Sequence, residues 1–470
     1  MNKSLYIISI VTAALFAGCS TSDVDQDIEE RELAEQQGSL FTSATSDSEV
    51  PIRLGSGSQA GNLTRSPLNS DQGTGLFATP DGKYLGVFCL AQQPQPTAAP
   101  THPGPVAASD IDWTNAADLM SLMTLNQPAR VARVPISTKI GTVTTTEEVS
   151  EVIFRNPVTM ASDTVYHYPM GSWYNYYFYG YYPRQESGVN ITSNKITVDF
   201  TLNGTQDIIW GKAVPYTDAA DPKFPVTDLT TGFNARYFRE KASSGVTDQE
   251  LLPHLAMTHS LTMLKFYVMC DDFEGYDSYV DLGTSRLQLK DMTIDRLPLN
   301  WTLTVADREG GEGTEGKLTL TDPSIGLGSI AVYGFEGGEY TDNNAFAGGS
   351  VEIPRTDNRA EAVMVGYAMI PSTEMVLSAL DDMSPFMADH NGQNLKNPFI
   401  NMTLMLNDKP VEGTPQIIGD ESLNLEAGKI YNVFLRVKVP DILTARATLS
   451  QWSTVELTED SDQNIDQVIQ

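Results

Sequence analysis

Along most of this chain, apolar side chains recur at every second position in runs of four to eight residues, which stop at Gly, Pro, Asn or Asp. A period of two is the period of a β-strand, whose successive side chains point to opposite faces. In Lys429 to Val439, Leu435, Val437 and Val439 share one face while Arg436 and Lys438 share the other. That is the signature of a sheet with one wet face. Lys83 to Leu90 and Thr262 to Met269 are further strands, while helical spacing is confined to Ala116–Leu125 and Glu374–Met383. With 36 Gly and 26 Pro punctuating the runs, the pattern predicts an all-β protein of sandwich type with a few short helices. No fixed-period repeat is visible, which disfavours propellers and solenoids.

A chain of 470 residues exceeds one average domain. The stretch from Lys212 to His254 is turn-rich and lacks strand alternation, so a boundary is expected there. The reading is an N-terminal sandwich over 50–215 and a larger C-terminal one over 250–455. Sixty acidic against 30 basic side chains give a formal charge of −30. That excess argues against nucleic acid as a partner, because gripping phosphates needs Lys and Arg. It also argues against an anionic membrane surface. At 41% apolar and 9% aromatic residues, the chain is too rich in core formers to be disordered.

The first residues read as an export signal. Lys3 precedes an apolar run from Leu5 to Ala17 that ends in Phe16-Ala17-Gly18-Cys19. One cation, a short apolar stretch and small residues fit a signal peptide over 1–18. The run is shorter than the roughly 20 apolar residues that span a bilayer. Its Gly-Cys ending resembles a bacterial lipobox, with Cys19 as the lipidation site; an ordinary signal peptide with an incidental Cys is the alternative. Residues 19–49 form an acidic, flexible leader, and 456–470 an acidic tail without a base. Beyond Cys19, only Cys89 and Cys270 remain. One disulfide or two buried thiols would both fit, and buried thiols are the simpler expectation.

Enzyme motifs are absent from the sequence. Gly310 to Lys317 is Gly-rich, but Leu318 stands where a phosphate-binding loop needs Ser or Thr, so a hairpin turn is expected. The five histidines show no metal-ligand spacing, and no nucleophile elbow or reactive-Cys signature occurs. His254 and His259 are read as structural. No catalytic residue, metal ligand or cofactor is therefore assigned. The densest aromatic tract runs from Tyr166 to Pro183. Exposed, it would stack on sugars; as a pair of sandwich strands, it would fill a core, and the core is the expectation.

Taken in order, several segments resemble the fimbrillin family of Bacteroidetes, the subunits of type V pili. They are Tyr168-Pro169 with Tyr181-Tyr182-Pro183, then Thr205 to Trp210, then His259-Ser260-Leu261 opening a second domain. Ala427-Gly428-Lys429-Ile430-Tyr431 and the late Trp452 follow. The resemblance runs from about Val50 to Trp452.

That resemblance implies two transthyretin-like β-sandwich domains in tandem and a surface lipoprotein precursor held in the outer membrane by its N-terminal lipid. It further implies a cut after an Arg, loss of the first strand, and assembly into a fimbrium by donor-strand exchange with other fimbrial subunits, head to tail. Val50 to Leu54 is the expected first strand, and Arg65, in a Gly/Ser-rich loop, the expected cut. Leu443, Ala445, Ala447 and Leu449, with Trp452 beyond them, are the expected donor strand; an intramolecular last strand explains their alternation equally well. The acidic tail after Trp452 departs from shaft subunits, which end nearer the Trp. A monomeric surface lipoprotein that binds glycans is the alternative function.

Overall fold

The computed structural model describes residues 50–58, 78–94, 112–114, 126–140, 143–168, 174–215, 232–233, 235, 238, 252–270, 287–322, 327–336, 339–356, 358–376, 399–406, 409–412, 416–417, 425–437 and 446–451. Their regular secondary structure is nearly all strand. The first nine strands are β1 (Leu54–Ser58), β2 (Leu85–Pro94), β3 (Gln127–Ile140), β4 (Val143–Phe154), β5 (Tyr174–Tyr182), β6 (Val189–Ile191), β7 (Lys195–Thr201), β8 (Ile209–Pro215) and β9 (Pro253–His259). Then come β10 (Leu261–Cys270), β11 (Leu287–Leu297), β12 (Asn300–Asp307), β13 (Leu318–Leu320), β14 (Gly328–Ala331), β15 (Tyr333–Glu336), β16 (Glu339–Asn344) and β17 (Val351–Glu352). The last are β18 (Val363–Pro371), β19 (Phe399–Leu406), β20 (Lys409–Glu412), β21 (Gln416–Ile417), β22 (Ile430–Val437) and β23 (Arg446–Gln451). Of the two expected helices, 374–383 shows one helical turn at 373–376, and 116–125 lies outside the described residues.

Four sheets carry the fold. The first closes on itself in the order β1-β4-β3-β2-β5-β8-β9. Facing it is a sheet of order β13-β12-β7-β6, and β7 shows why: Ile196, Val198 and Phe200 are buried in alternation. These two sheets enclose the first core. A second core lies between the sheet β16-β15-β18-β10-β22-β23 and the sheet β14-β11-β19-β20, with β17 on β11 and β21 on β19. Alternation again selects the inner face, as Val433, Leu435 and Val437 of β22 are buried and Arg436 is not.

β10 is buried along nearly its whole length, with Leu261 and Met263 in the first core and Leu264, Phe266, Val268 and Cys270 in the second. A strand covered on both faces reads as a continuous apolar run, which is what Thr262 to Met269 looks like. β18 behaves alike, and its approach to β15 depends on Gly366, where a Cβ would overlap the Tyr333 carbonyl oxygen.

Residues 253–259 pair with β8 as part of the first sheet, and the crossing to the next sheet falls at Ser260. β12 and β13, though they come later, pair with β7 and with each other and complete the first core. Alternation shows which face of a strand is buried, and it does not show which distant strand lies beside it.

Among the described residues of the aromatic tract, most rings are core. Tyr176, Phe178, Tyr179 and Tyr181 are all at most 2% exposed and pack with Tyr168, Phe233 and Phe238. Cys89 and Cys270 are free, buried thiols in the first and second cores respectively, and burial pushes the Cys89 thiol well above its usual range. The Gly-rich segment is the hairpin connection between β12 and β13, and its Glu315 is buried against Tyr179 and Lys212.

Candidate functional site: an inserted strand and its slot

Residues 50–58 thread through the first sheet as an insert. At the entry, Ile52 N–H donates to Tyr166 O (2.7 Å) and Tyr168 N–H to Val50 O (3.0 Å), around the bridge Pro51–His167. β1 then runs antiparallel to β4, with Leu54 beside Val152 and Ser56 beside Ser150. On its other edge it runs parallel to β9, from Gly55 beside His254 to Ser58 beside Met257. Every other pairing in this sheet is antiparallel. The insert therefore satisfies backbone groups on two neighbours, and its removal would leave two unpaired edges facing one gap.

Val50, Ile52 and Leu54 alternate into the first core and are at most 4% exposed. Each such side chain contributes about 1.5–3 kcal/mol through burial. On the opposite side Arg53 makes a two-pronged ion pair with Glu151: Nε donates to Oε1 (2.9 Å) and Nη2 to Oε2 (3.2 Å), with both side chains under 5% exposed. A guanidinium matches a carboxylate in this forked geometry. Two further details shape the slot. A Cβ on Gly55 would sit 2.9 Å from His254 Nδ1, and the buried Ser56 hydroxyl has no hydrogen-bond partner among the described residues. Burial holds the His254 imidazole below its ordinary pKa.

At the crossing after β9, His259 Nδ1 meets Asp207 Oδ1 at 2.8 Å, with Asp207 1% exposed. Burial opposes the imidazolium, but the Asp207 charge and hydrogen bond outweigh it and raise the His259 pKa. Ser260 N–H donates to Ile208 O (2.8 Å), and Gly428 N–H donates to Leu261 O (2.8 Å). The Gln206-Asp207 segment, His259 and the Ala427-Gly428-Lys429 turn thus converge on one corner and hold the passage between the sheets.

At the other end of the chain, β23 is the outer strand of its sheet and pairs with β22 alone among named neighbours in that ladder. Ala447 stands beside Leu435, Leu449 beside Val433, and Arg446 beside Arg436. Leu443, Ala445 and Trp452 lie outside the described residues, as do Cys19, Arg65, the leader and the acidic tail. Glu151 was not singled out by the sequence, because a Glu between strand residues reads as solvent-facing. Arg53, at the odd position of Val50-Pro-Ile-Arg-Leu54, was the only sign that a buried carboxylate waits opposite.

No family model and no curated protein matches the chain. Solved structures do. A candidate cell adhesion protein from Bacteroides uniformis is 12% identical, with 86% of this chain and 97% of that one covered and a TM-score of 0.37. A fimbrial protein from Bacteroides vulgatus is 10% identical over 78% of this chain and 93% of its own, with a TM-score of 0.35. The fimbrial anchor protein of Porphyromonas gingivalis is 8% identical over 86% and 97%, with a TM-score of 0.27.

Proposed function

We propose that this chain, folded as two transthyretin-like sandwiches, is a structural, non-catalytic subunit of a cell-surface fimbria that contributes to adhesion, exported as a lipoprotein precursor and assembled by donor-strand exchange with neighbouring subunits. The observation that carries the reading is the insert at residues 50–58. It is a strand near the start of the chain, paired on both edges and contributing three core side chains. The segment Gln59 to Ser66, which contains Arg65, follows it, and the Gly and Ser residues expected in that loop, Gly55 to Ser58, belong to the strand. A cut there would free the insert and leave an apolar slot with unpaired backbone on both sides, which a strand from a neighbour can fill. Repeated head to tail, such a contact grows an open fibre. Arg53, locked in its ion pair, is a poor protease target beside Arg65.

The glycan-binding alternative draws on the aromatic tract. Its rings at 176, 178, 179 and 181 are committed to the core, which weighs against that reading. The test uses the precursor and an Arg-specific protease. After cleavage at Arg65 the chain forms SDS-resistant ladders, and a chain ending at Val439 forms none. Monomers in both cases, together with polysaccharide binding, would replace the fimbrial reading with the glycan one.

A further inference from the structure

The slot vacated by β1 carries a chemical requirement beyond shape. When the insert leaves, Arg53 leaves with it, and Glu151, 2% exposed while the insert is seated, stays behind to be buried again by whatever strand enters. A buried carboxylate without a partner is costly, so whatever enters must bring a cation to that position. The position is defined: on β1, the Arg stands between two core-facing residues, Ile52 and Leu54, with a third, Val50, two residues before.

The C-terminal segment of this same chain repeats that spacing. In Leu443-Thr-Ala-Arg-Ala-Thr-Leu449, apolar residues fall at 443, 445, 447 and 449, and the Arg at 446 lies between the second and third. Laid on β1 in the same direction, Leu443 takes the place of Val50, Ala445 of Ile52, Arg446 of Arg53, Ala447 of Leu54 and Leu449 of Ser56. A shift by one residue would turn the apolar set outward and lose the match. We infer that β23 of a second copy seats in the slot in this register, with its Arg446 taking over the carboxylate of Glu151, so that this ion pair selects the donor strand.

Two observations besides the spacing favour the exchange. At home, the β22–β23 ladder sets Arg446 directly across from Arg436, and like charges at facing positions weaken a pairing. β23 is also an outer strand, so its departure exposes one edge, whereas its arrival in the slot covers two. Within the slot, Leu449 would replace the buried, unpartnered hydroxyl of Ser56 by an apolar group. Against this, Ala445 and Ala447 are smaller than the residues they succeed. Thr448 would fall at Gly55, so the His254 ring must turn aside to admit it.

The inference rests on the donor-strand reading, and the experiment separates the two. Full-length wild-type and Arg446→Glu chains are cut at Arg65, and ladder formation is followed on SDS gels; the uncut Arg446→Glu chain should unfold at or above the wild-type urea midpoint, because the change removes a like charge facing Arg436. The expected result is ladder formation slowed on the order of 100-fold by Arg446→Glu, restored in the charge-swapped chain carrying Arg53→Glu, Glu151→Arg and Arg446→Glu. A synthetic peptide of residues 443–452 gives the same answer without a folding requirement. The wild-type peptide caps the cut wild-type chain and stops ladder growth, and the Arg446→Glu peptide needs about 100 times the concentration. Wild-type ladders with equal ladders from Arg446→Glu, and equal capping by both peptides, overturn the ion-pair register and leave donor-strand exchange standing. No ladder and no capping from wild type overturn both.

Discussion

Replacing Arg53 by Met in the uncut precursor removes the partner of a carboxylate that is 2% exposed while keeping most of the side chain's bulk. Breaking a buried pair from one side costs about 3–5 kcal/mol, because the remaining charge has neither water nor a counter-ion. Glu151→Leu leaves the guanidinium in the same position and should cost a similar amount. The double replacement, Arg53→Met with Glu151→Leu, removes both charges together and should return to within about 1 kcal/mol of wild type or exceed it. The assay is urea unfolding of the chain expressed from Ser20 onward, followed by tryptophan fluorescence. With a slope of about 3 kcal/mol per molar, a loss of about 4 kcal/mol lowers the midpoint by about 1.3 M. The same Arg53→Met change should have no effect on a chain that has been cut at Arg65 and has lost its first strand. If the single replacements each shift the midpoint by less than about 0.3 M, or if the double is as unstable as their sum, Arg53 and Glu151 are not a buried pair, and the electrostatic description of the slot is wrong.

The His259–Asp207 contact gives a pH signature. Because the folded-state pKa of His259 is raised above the ordinary 6.5, its contribution is complete below that value and is lost as pH rises through the higher folded pKa. The Tm advantage of wild type over His259→Gln should therefore be larger at pH 5.5 than at pH 8.5 in paired calorimetric scans, and an advantage that grows with pH would contradict the raised pKa. Gly366→Ala forces a methyl group into the Tyr333 carbonyl oxygen, and a backbone atom cannot swing away. It should cost about 2–4 kcal/mol by urea unfolding; a neutral result would mean that β15 does not lie against β18 as described.

How much of this was legible beforehand follows from what a pattern of apolar residues can encode. Leu435 and Val437 on one face and Arg436 on the other gave β22 its orientation, and the tyrosines at 176, 179 and 181 belonged to a core as their β-propensity suggested. The strand expected at 50–54 is part of the insert, although the ladder with β9 runs on to Ser58. What stayed hidden was partnership. Nothing in Pro253 to His259 says that it lies beside both β8 and β1, and nothing in Trp301, Leu303 and Val305 says that they fill the first core opposite β2 and β5. Glu151 was invisible for the same reason: a charged residue becomes a buried one only when its counter-ion arrives from almost 100 positions away.

The parallel pairing of β1 with β9 also sets an order of events. Gly55 and His254 are neighbours in space but about 200 positions apart in the chain. A polypeptide emerging N-terminus first, at about 5–20 residues per second, leaves β1 without that neighbour for roughly 10–40 s. Its other neighbour, β4, is available much sooner, but the gap stays open on one side until residues 253–257 exist. Closing the longer loop adds only about 0.6 kcal/mol of entropy per doubling of length, so the delay is one of time rather than stability. A fragment stopping at residue 215 would lack β9, β12 and β13 and could not enclose the first core. The first strand to be made thus waits for the ninth, and the chain has to be just over half written before its own beginning has a permanent place.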